Sequence, residues 1–257
     1  MMPRDTSWED VADWYDGWVG KQGSKHHRNL AIPVVMEMLQ PQQGESVLDI
    51  GCGQGVLAPY MHKAGAHYVG VDAASSLIKK AKRYHKGARF FTGDARHLAE
   101  LPVEPASFDV AVFMLSIQDM DPLPQVIESA AWALKAGGRL GILMTHPCFR
   151  IPRQSGWGFD EGRKLQYRRV DSYLSQHDVP LTGKGRGRGG QNNVTRSYHR
   201  PLMDYVNALG AAGLAIDAME EVPTYKADSR QPKAERRANE EIPLFLGLRA
   251  LKIHGAS

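Results

Sequence analysis

The chain has 257 residues, 42% hydrophobic and 23% charged, the balance of a globular protein able to bury one sizeable core. Lys plus Arg number 32 against 28 Asp plus Glu, and the resulting net charge of +4 is too small to imply nucleic acid or an anionic membrane by itself. Two cysteines, Cys52 and Cys148, cannot build a disulfide framework, no apolar run approaches the ~18 residues of a membrane span, and Arg4, Asp5, Glu9 and Asp10 stand where a signal peptide would be apolar, so a cytoplasmic protein is expected.

Residues 1–43 read as an N-terminal helical cap. From Ser46 to Pro147, apolar strands and amphipathic helices alternate. Ser46 to Gly51 predicts a buried strand, Val56 to Lys63 a helix closed by Ala64-Gly65, and Tyr68 to Asp72 a second strand. Leu77, Ile78 and Ala81 mark the inner stripe of the next helix, with Lys79, Lys80, Lys82 and Arg83 turned outward. Arg89 to Thr92 and Phe108 to Leu115 are the third and fourth strands. Pro122 to Leu134 is a helix opened by proline, and Arg139 to Thr145 is the fifth strand. Strands separated by helix-length segments imply βαβ units, and the right-handed crossover rule then gives an α/β, doubly wound, mostly parallel Rossmann-like sheet.

Residues 148–200 break the pattern. They are rich in Gly, Arg, Gln, Ser and Tyr, include the basic tract Gly183 to Gly190, and read as a substrate-binding insertion or lid in a single domain spanning 1–257. Beyond them, Leu202 to Leu214 predicts a helix with Leu202, Tyr205, Val206, Leu209 and Ala212 facing the core. Ile216 to Val222 and Ile242 to Ile253 predict two late strands pairing antiparallel at the sheet edge.

The chemistry concentrates in Val47-Leu48-Asp49-Ile50-Gly51-Cys52-Gly53-Gln54-Gly55, a strand running into a glycine turn that opens a helix. Glycines at 51 and 53 let a ligand approach the backbone, and the helix start offers unpaired N–H groups. A dinucleotide fingerprint needs G-x-G-x-x-G, but the third glycine falls one residue early, at Gly55, and Asp49 precedes the first. That order suits a cofactor presenting an ammonium better than one presenting a pyrophosphate. Asp72, at the end of the second strand, is spaced to accept both hydroxyls of a ribose, and Asp94, after the third, to accept from an adenine amine. All three carboxylates fall at strand C-terminal ends, where open α/β sheets bind ligands.

With these motifs the sequence resembles the class I S-adenosylmethionine-dependent methyltransferases, most closely the small-molecule branch that includes ubiquinone and menaquinone biosynthesis-type enzymes. The resemblance covers Trp14 to Pro147, more loosely Tyr198 to Leu214 and the final strand. It implies S-adenosyl-L-methionine as cofactor and S-adenosyl-L-homocysteine as product. It also implies Asp49, Gly51, Cys52 and Gly53 beside the methionine and ribose, Asp72 on the ribose, Ala73 flanking the adenine, Asp94 and Ala95 at its edge, and Met114 and Leu115 beneath. Gln118 would stand near the transferred methyl. Tyr15, in an aromatic N-terminal segment, would close over the sulfonium. The Asp/Asn-Pro-Pro-Tyr motif of adenine-amine methylators is replaced by Ser116-Ile117-Gln118-Asp119, which argues against that group.

A general base is useful only when the acceptor arrives protonated. Candidates are His146, ranked first because it leaves the fifth strand, then Gln118, Asp119, His199 and Tyr198. His26 and His27 are adjacent and lack ligand spacing, so no metal is expected. The expected partner is a small-molecule methyl acceptor. An RNA methyltransferase is the alternative, resting on Lys184, Arg186 and Arg188, and a nicotinamide-dependent oxidoreductase shares the fold but not the glycine spacing.

Overall fold

The computed structural model describes residues 8–182, 194–224 and 230–253. One seven-stranded sheet organises it. The strands are β1 (Ser46–Ile50), β2 (His67–Asp72), β3 (Arg89–Thr92), β4 (Phe108–Met114), β5 (Leu134–Thr145), β10 (Leu214–Val222) and β11 (Phe245–Lys252). Their order across the sheet is β10-β11-β5-β4-β1-β2-β3. β1 pairs parallel with both β2 and β4, and β4 with β5, whereas β11 runs antiparallel to β5 and β10. The chain therefore winds outward in both directions from β1 and β4, and the switch point between them opens a crevice at the strands' C-terminal ends.

Alternation along the central strands builds a core on each face. Leu48, Ile50, Val69, Val71, Ala111 and Phe113 face α5 (Leu123–Ala133) and α6 (Leu202–Ala211). Val47, Val110, Val112 and Met114 face α2 (Ile32–Leu39), α3 (Ala58–Lys63) and α4 (Ser75–Tyr84). Both faces of β1 are covered, so its residues from Val47 to Ile50 are all buried. Asp49, on the same face as Val47, is thereby forced into the interior.

The N-terminal segment is strapped across α4. Glu9 accepts from the Ser76 backbone N–H at 3.1 Å and from both the Ser75 and Ser76 hydroxyls, placing a carboxylate on the helix's positive end. From α1 (Ala12–Val19), Asp13 and Asp16 pair with Lys80 at 3.0 and 3.1 Å. Lys80 is thus held against α1 instead of turning outward as its position in the helical pattern suggests.

Several expected boundaries shift. β5 begins at Leu134, five residues before Arg139, because the Gly137 turn is absorbed into a long strand whose start pairs with Phe108. On α6, Tyr205 and Leu209 are buried but Val206 is 42% exposed, so the buried stripe is narrower than predicted. β10 and β11 pair as expected, with β11 inside the sheet and β10 at its edge. The charged linker between them contains a further helix, α7 (Lys233–Glu241). Residues 148–200, expected to lack clear elements, hold two antiparallel hairpins: β6 (Ser155–Asp160) with β7 (Leu165–Val170), and β8 (His177–Thr182) with β9 (Val194–His199). The basic tract 183–190 lies outside the described residues. Among the described residues no helix is long and apolar enough to cross a membrane, and no group of three His, Cys, Asp or Glu side chains could hold a metal ion.

Candidate functional site

A cavity of about 490 Å³ occupies the crevice, within the roughly 300–1,000 Å³ usual for small-molecule sites. Gly51, Gly53, Asp72, Ala73, Asp94 and Ala95 line it beyond β1, β2 and β3, Gln118 and Asp119 line it beyond β4, and Thr145, Arg150, Ser197 and Phe245 line it toward β5 and β11. Met114 and Leu115 line it as well, and Tyr15 closes one side.

The glycine turn after β1 is built for close approach. Gly51 has φ +74, and a Cβ there would fall 2.5 Å from the Ser116 Cβ, so a side chain is excluded by packing and by backbone alike. Gly53 has φ +54, but its absent Cβ would make only ordinary contact with Tyr15 at 3.5 Å, so this glycine leaves the cavity wall open. Asp72 holds the turn in place: one carboxylate oxygen accepts from the Gly53 N–H and the other from the Ala74 N–H, both at 2.8 Å. Each oxygen keeps a further lone pair. Burial raises the Asp72 pKa, and these two bonds oppose the rise.

Asp49 sits one layer behind the wall, 2% exposed. One of its oxygens accepts from the Tyr68 hydroxyl at 2.6 Å, while Oδ1 is buried with no partner. Burial, reinforced by the charge of Asp72 and opposed by the Tyr68 bond, pushes its pKa up to about 7. A buried, unpaired carboxylate oxygen is costly unless a cation or donor meets it. The residues present therefore fit an adenosyl sulfonium cofactor: an unmatched acceptor for its ammonium, a carboxylate with spare lone pairs for its ribose, and a turn stripped of side chains. Cys52 is likewise behind the wall, and burial raises its pKa well above the usual thiol value, so it stays a protonated small residue.

Asp94 lines the cavity but is already engaged. It caps the following turn by accepting from the Arg96 N–H at 2.9 Å and forms a bidentate pair with the Arg96 guanidinium. Burial raises its pKa, but the Arg96 contacts outweigh that and hold it below the usual carboxylate range. Tyr15 stands in an aromatic row with Trp8 and Trp18, at ring separations of 5.1 and 6.2 Å. Burial, then the nearby carboxylates, raises its pKa, which keeps the hydroxyl protonated.

The candidate bases separate sharply. His146 does not line the cavity. Its Nε2 bonds Glu221 at 2.8 Å and its Nδ1 accepts the Cys148 N–H at 3.2 Å, so both ring nitrogens are spent on closing the turn after β5. Burial lowers its pKa despite Glu221. His199 also lies outside the wall, bonded through Nε2 to the Tyr173 carbonyl and stacked on His177. Gln118 and Asp119 do line the cavity. Leu115, with φ +58, turns the chain out of β4 into the single 3-10 turn Ile117–Asp119 that presents both. Gln118 donates to the Leu115 carbonyl at 2.6 Å, leaving its Oε1 buried and unpartnered. Burial pushes the Asp119 pKa up to about 8, although a hydrogen bond from Ser197 and the charge of Arg200 pull it down.

Sequence reasoning missed Trp8, Trp18, Thr145, Arg150 and Phe245 as lining residues. The spacing of Trp8, Tyr15 and Trp18 at seven and three residues is a helical-face signal that could have found the aromatic row. Arg150 has no local signal, because the carbonyls of Ile242 and Pro243 and the Trp157 ring, all distant or irregular in sequence, decide where it points.

Residues 47–138 match a family described as a methyltransferase domain. The ubiquinone biosynthesis O-methyltransferase of Xylella fastidiosa is 31% identical over 145 residues, 54% of this chain and 58% of that protein. The chain thus matches somewhat over half the length of that curated relative. Among solved structures, an S-adenosylmethionine-dependent methyltransferase from Mesorhizobium loti superposes with a TM-score of 0.66 at 25% identity, covering 85% of this chain and 96% of that one. A proposed methyltransferase of the same cofactor class from Listeria monocytogenes gives 0.70 at 21% identity, covering 90% and 100%. With the strand order and the glycine turn, these likenesses show a methyltransferase domain over residues 47–138, in a Rossmann-like fold shared with solved S-adenosylmethionine-dependent methyltransferases.

Proposed function

We propose that the protein transfers a methyl group from S-adenosylmethionine to a hydroxyl of a small molecule. The observation that carries this is one cavity lined both by the glycine turn, Asp72 and Asp94 and by Gln118 and Asp119. When bound, the cofactor supplies a methyl already activated on sulfonium, so the protein's task is to orient the acceptor, exclude water and accept a proton. Asp49 would meet the ammonium and Asp72 the ribose hydroxyls, Ala73 and Ala95 would flank the adenine, and Asp94 would receive its amine on lone pairs not used by Arg96. Tyr15, Trp8 and Trp18 would keep water from the reacting end.

Asp119 is the proposed proton acceptor. Its raised pKa matches it to a weakly acidic hydroxyl, since proton transfer is most effective when donor and acceptor lie close. Gln118 would flank the hydroxyl, whose single proton is directed to Asp119. His146 would act at a distance, by holding the turn that carries Arg150. The volume of the cavity and the O-methyltransferase relative support a small-molecule acceptor over RNA. Incubating the protein with isotopically labelled methyl donor and a metabolite extract tests this: a labelled low-mass product is expected. Label appearing only in RNA, with binding that weakens steeply as salt rises, would overturn it.

A further inference from the structure

Arg150 stands in the wall of the acceptor end. Its Nε donates to the Pro243 carbonyl at 3.0 Å and one Nη2 proton to the Ile242 carbonyl at 3.3 Å, which fixes the guanidinium plane and leaves Nη1 with no acceptor among the described residues. Its Cζ lies 5.0 Å from the centroid of the Trp157 ring on β6, within cation–π range. Arg168, from β7, approaches the same ring at 5.2 Å and is itself tied to the Phe149 carbonyl and the Ser155 hydroxyl. Neither guanidinium forms an ion pair with a carboxylate among the described residues. Burial, then the like charge of Arg168, brings the Arg150 pKa down to about 10, which still leaves it charged at neutral pH.

A half-buried guanidinium with no carboxylate partner among the described residues, on the wall of a cavity, is placed to receive an anionic group. The rest of that wall narrows the choice. Pro152, Leu181, Leu244 and Phe245 supply apolar surface suited to a flat carbon skeleton, and since Arg96 in the same lining is already paired with Asp94, the one guanidinium of Arg150 matches one carboxylate.

We propose that Arg150 anchors the methyl acceptor through a carboxylate, so that the substrate class is a hydroxylated aromatic monocarboxylate, with the carboxylate on Arg150 and the hydroxyl toward Asp119. Trp157 and the carbonyls of Ile242 and Pro243 hold the anchor in position. This rests on the methyl-transfer reading above and names its acceptor.

Titration calorimetry on the full chain saturated with S-adenosylhomocysteine tests it. The probes are 3-hydroxybenzoate, 4-hydroxybenzoate and 4-hydroxyphenylacetate, each against its neutral methyl ester. At least one acid is expected to bind about tenfold or more tightly than its ester, the scale of one charge-assisted hydrogen bond. Arg150→Gln should abolish that preference while leaving S-adenosylhomocysteine affinity unchanged, and Arg150→Lys should restore part of it. If no acid outbinds its ester, or if the preference survives in Arg150→Gln, the proposal is overturned. Failure of the native chain to bind S-adenosylhomocysteine at all would instead strike the methyl-transfer reading beneath it.

Discussion

At the nucleoside end of the cavity the polar side chains are tied to local backbone: Asp72 to the N–H groups of Gly53 and Ala74, and Asp94 to that of Arg96. At the acceptor end the polar groups come from a single 3-10 turn, a turn after β5 and a hairpin strand, and Gln118 Oε1 and Arg150 Nη1 are left without acceptors or donors among the described residues. The first end is fixed by the sheet before any ligand arrives. The second is assembled by segments that can vary without disturbing the sheet, which is how one fold serves many acceptors. The comparison also distinguishes two buried carboxyls whose pKa values are both raised. Asp49, with one oxygen orphaned, is suited to meet a cation, and Asp119, at the acceptor end, is suited to take a proton.

The largest expected effect breaks the acceptor end alone. Asp119→Asn should lower kcat by about 10²–10⁴, the range of a general base, with cofactor affinity unchanged. In the native protein kcat/KM should rise with pH and level off above about 8, as Asp119 loses its proton, and the variant should lose that dependence. A variant retaining both full activity and the same pH profile would remove Asp119 from proton transfer.

A smaller effect sharpens the other end. Asp49→Asn should weaken S-adenosylhomocysteine binding by about 1.5–3 kcal/mol, the worth of a hydrogen bond to a charged group. Native affinity should tighten as pH rises through about 7, because the ammonium and the proton compete for the same carboxylate. Stability should move the opposite way. The folded pKa of Asp49 exceeds its unfolded value, so the folded state binds more protons and loses stability as pH rises from about 4 to about 7. Asp49→Asn, which keeps an acceptor for Tyr68, should therefore melt above the native protein at pH 8 and gain less at pH 5. Thermal melts at the two pH values check the sign.

The smallest effect concerns His146. With both nitrogens engaged outside the cavity, His146→Gln should change kcat by less than about tenfold, below what loss of a general base produces. A larger loss accompanied by a flattened pH profile would restore His146 as the base.

The contrast also explains what could be read from residues alone. β1, β2 and β4 are covered on both faces, so their apolar runs and the residues that follow them stand out, and Gly51, Gly53, Asp72 and, after β3, Asp94 were legible as residues of the crevice. The first hairpin of 148–200 buries little: Trp157, Phe159 and Tyr167 remain substantially exposed. Strands that bury no face need not alternate, which is why β6 and β7 read as irregular chain. His146 was ranked first by position along a strand, but sequence position does not reveal that Glu221 waits on β10 to bind it. Asp119 and Gln118 were among the candidates, yet the positive φ at Leu115 that turns them into the cavity has no glycine to announce it.

The central claim is that the carboxylate ending β2 grips a ribose. Its most direct test is a double-mutant cycle by titration calorimetry, with native protein and Asp72→Ala each titrated with S-adenosylhomocysteine and its 2′-deoxy analogue, and folding checked by circular dichroism. The account predicts that Asp72→Ala weakens S-adenosylhomocysteine binding by about 1.5–3 kcal/mol and that the native preference for the 2′-hydroxyl vanishes in the variant. A folded variant that binds S-adenosylhomocysteine as tightly as the native chain, or still prefers the 2′-hydroxyl to the same degree, would contradict it.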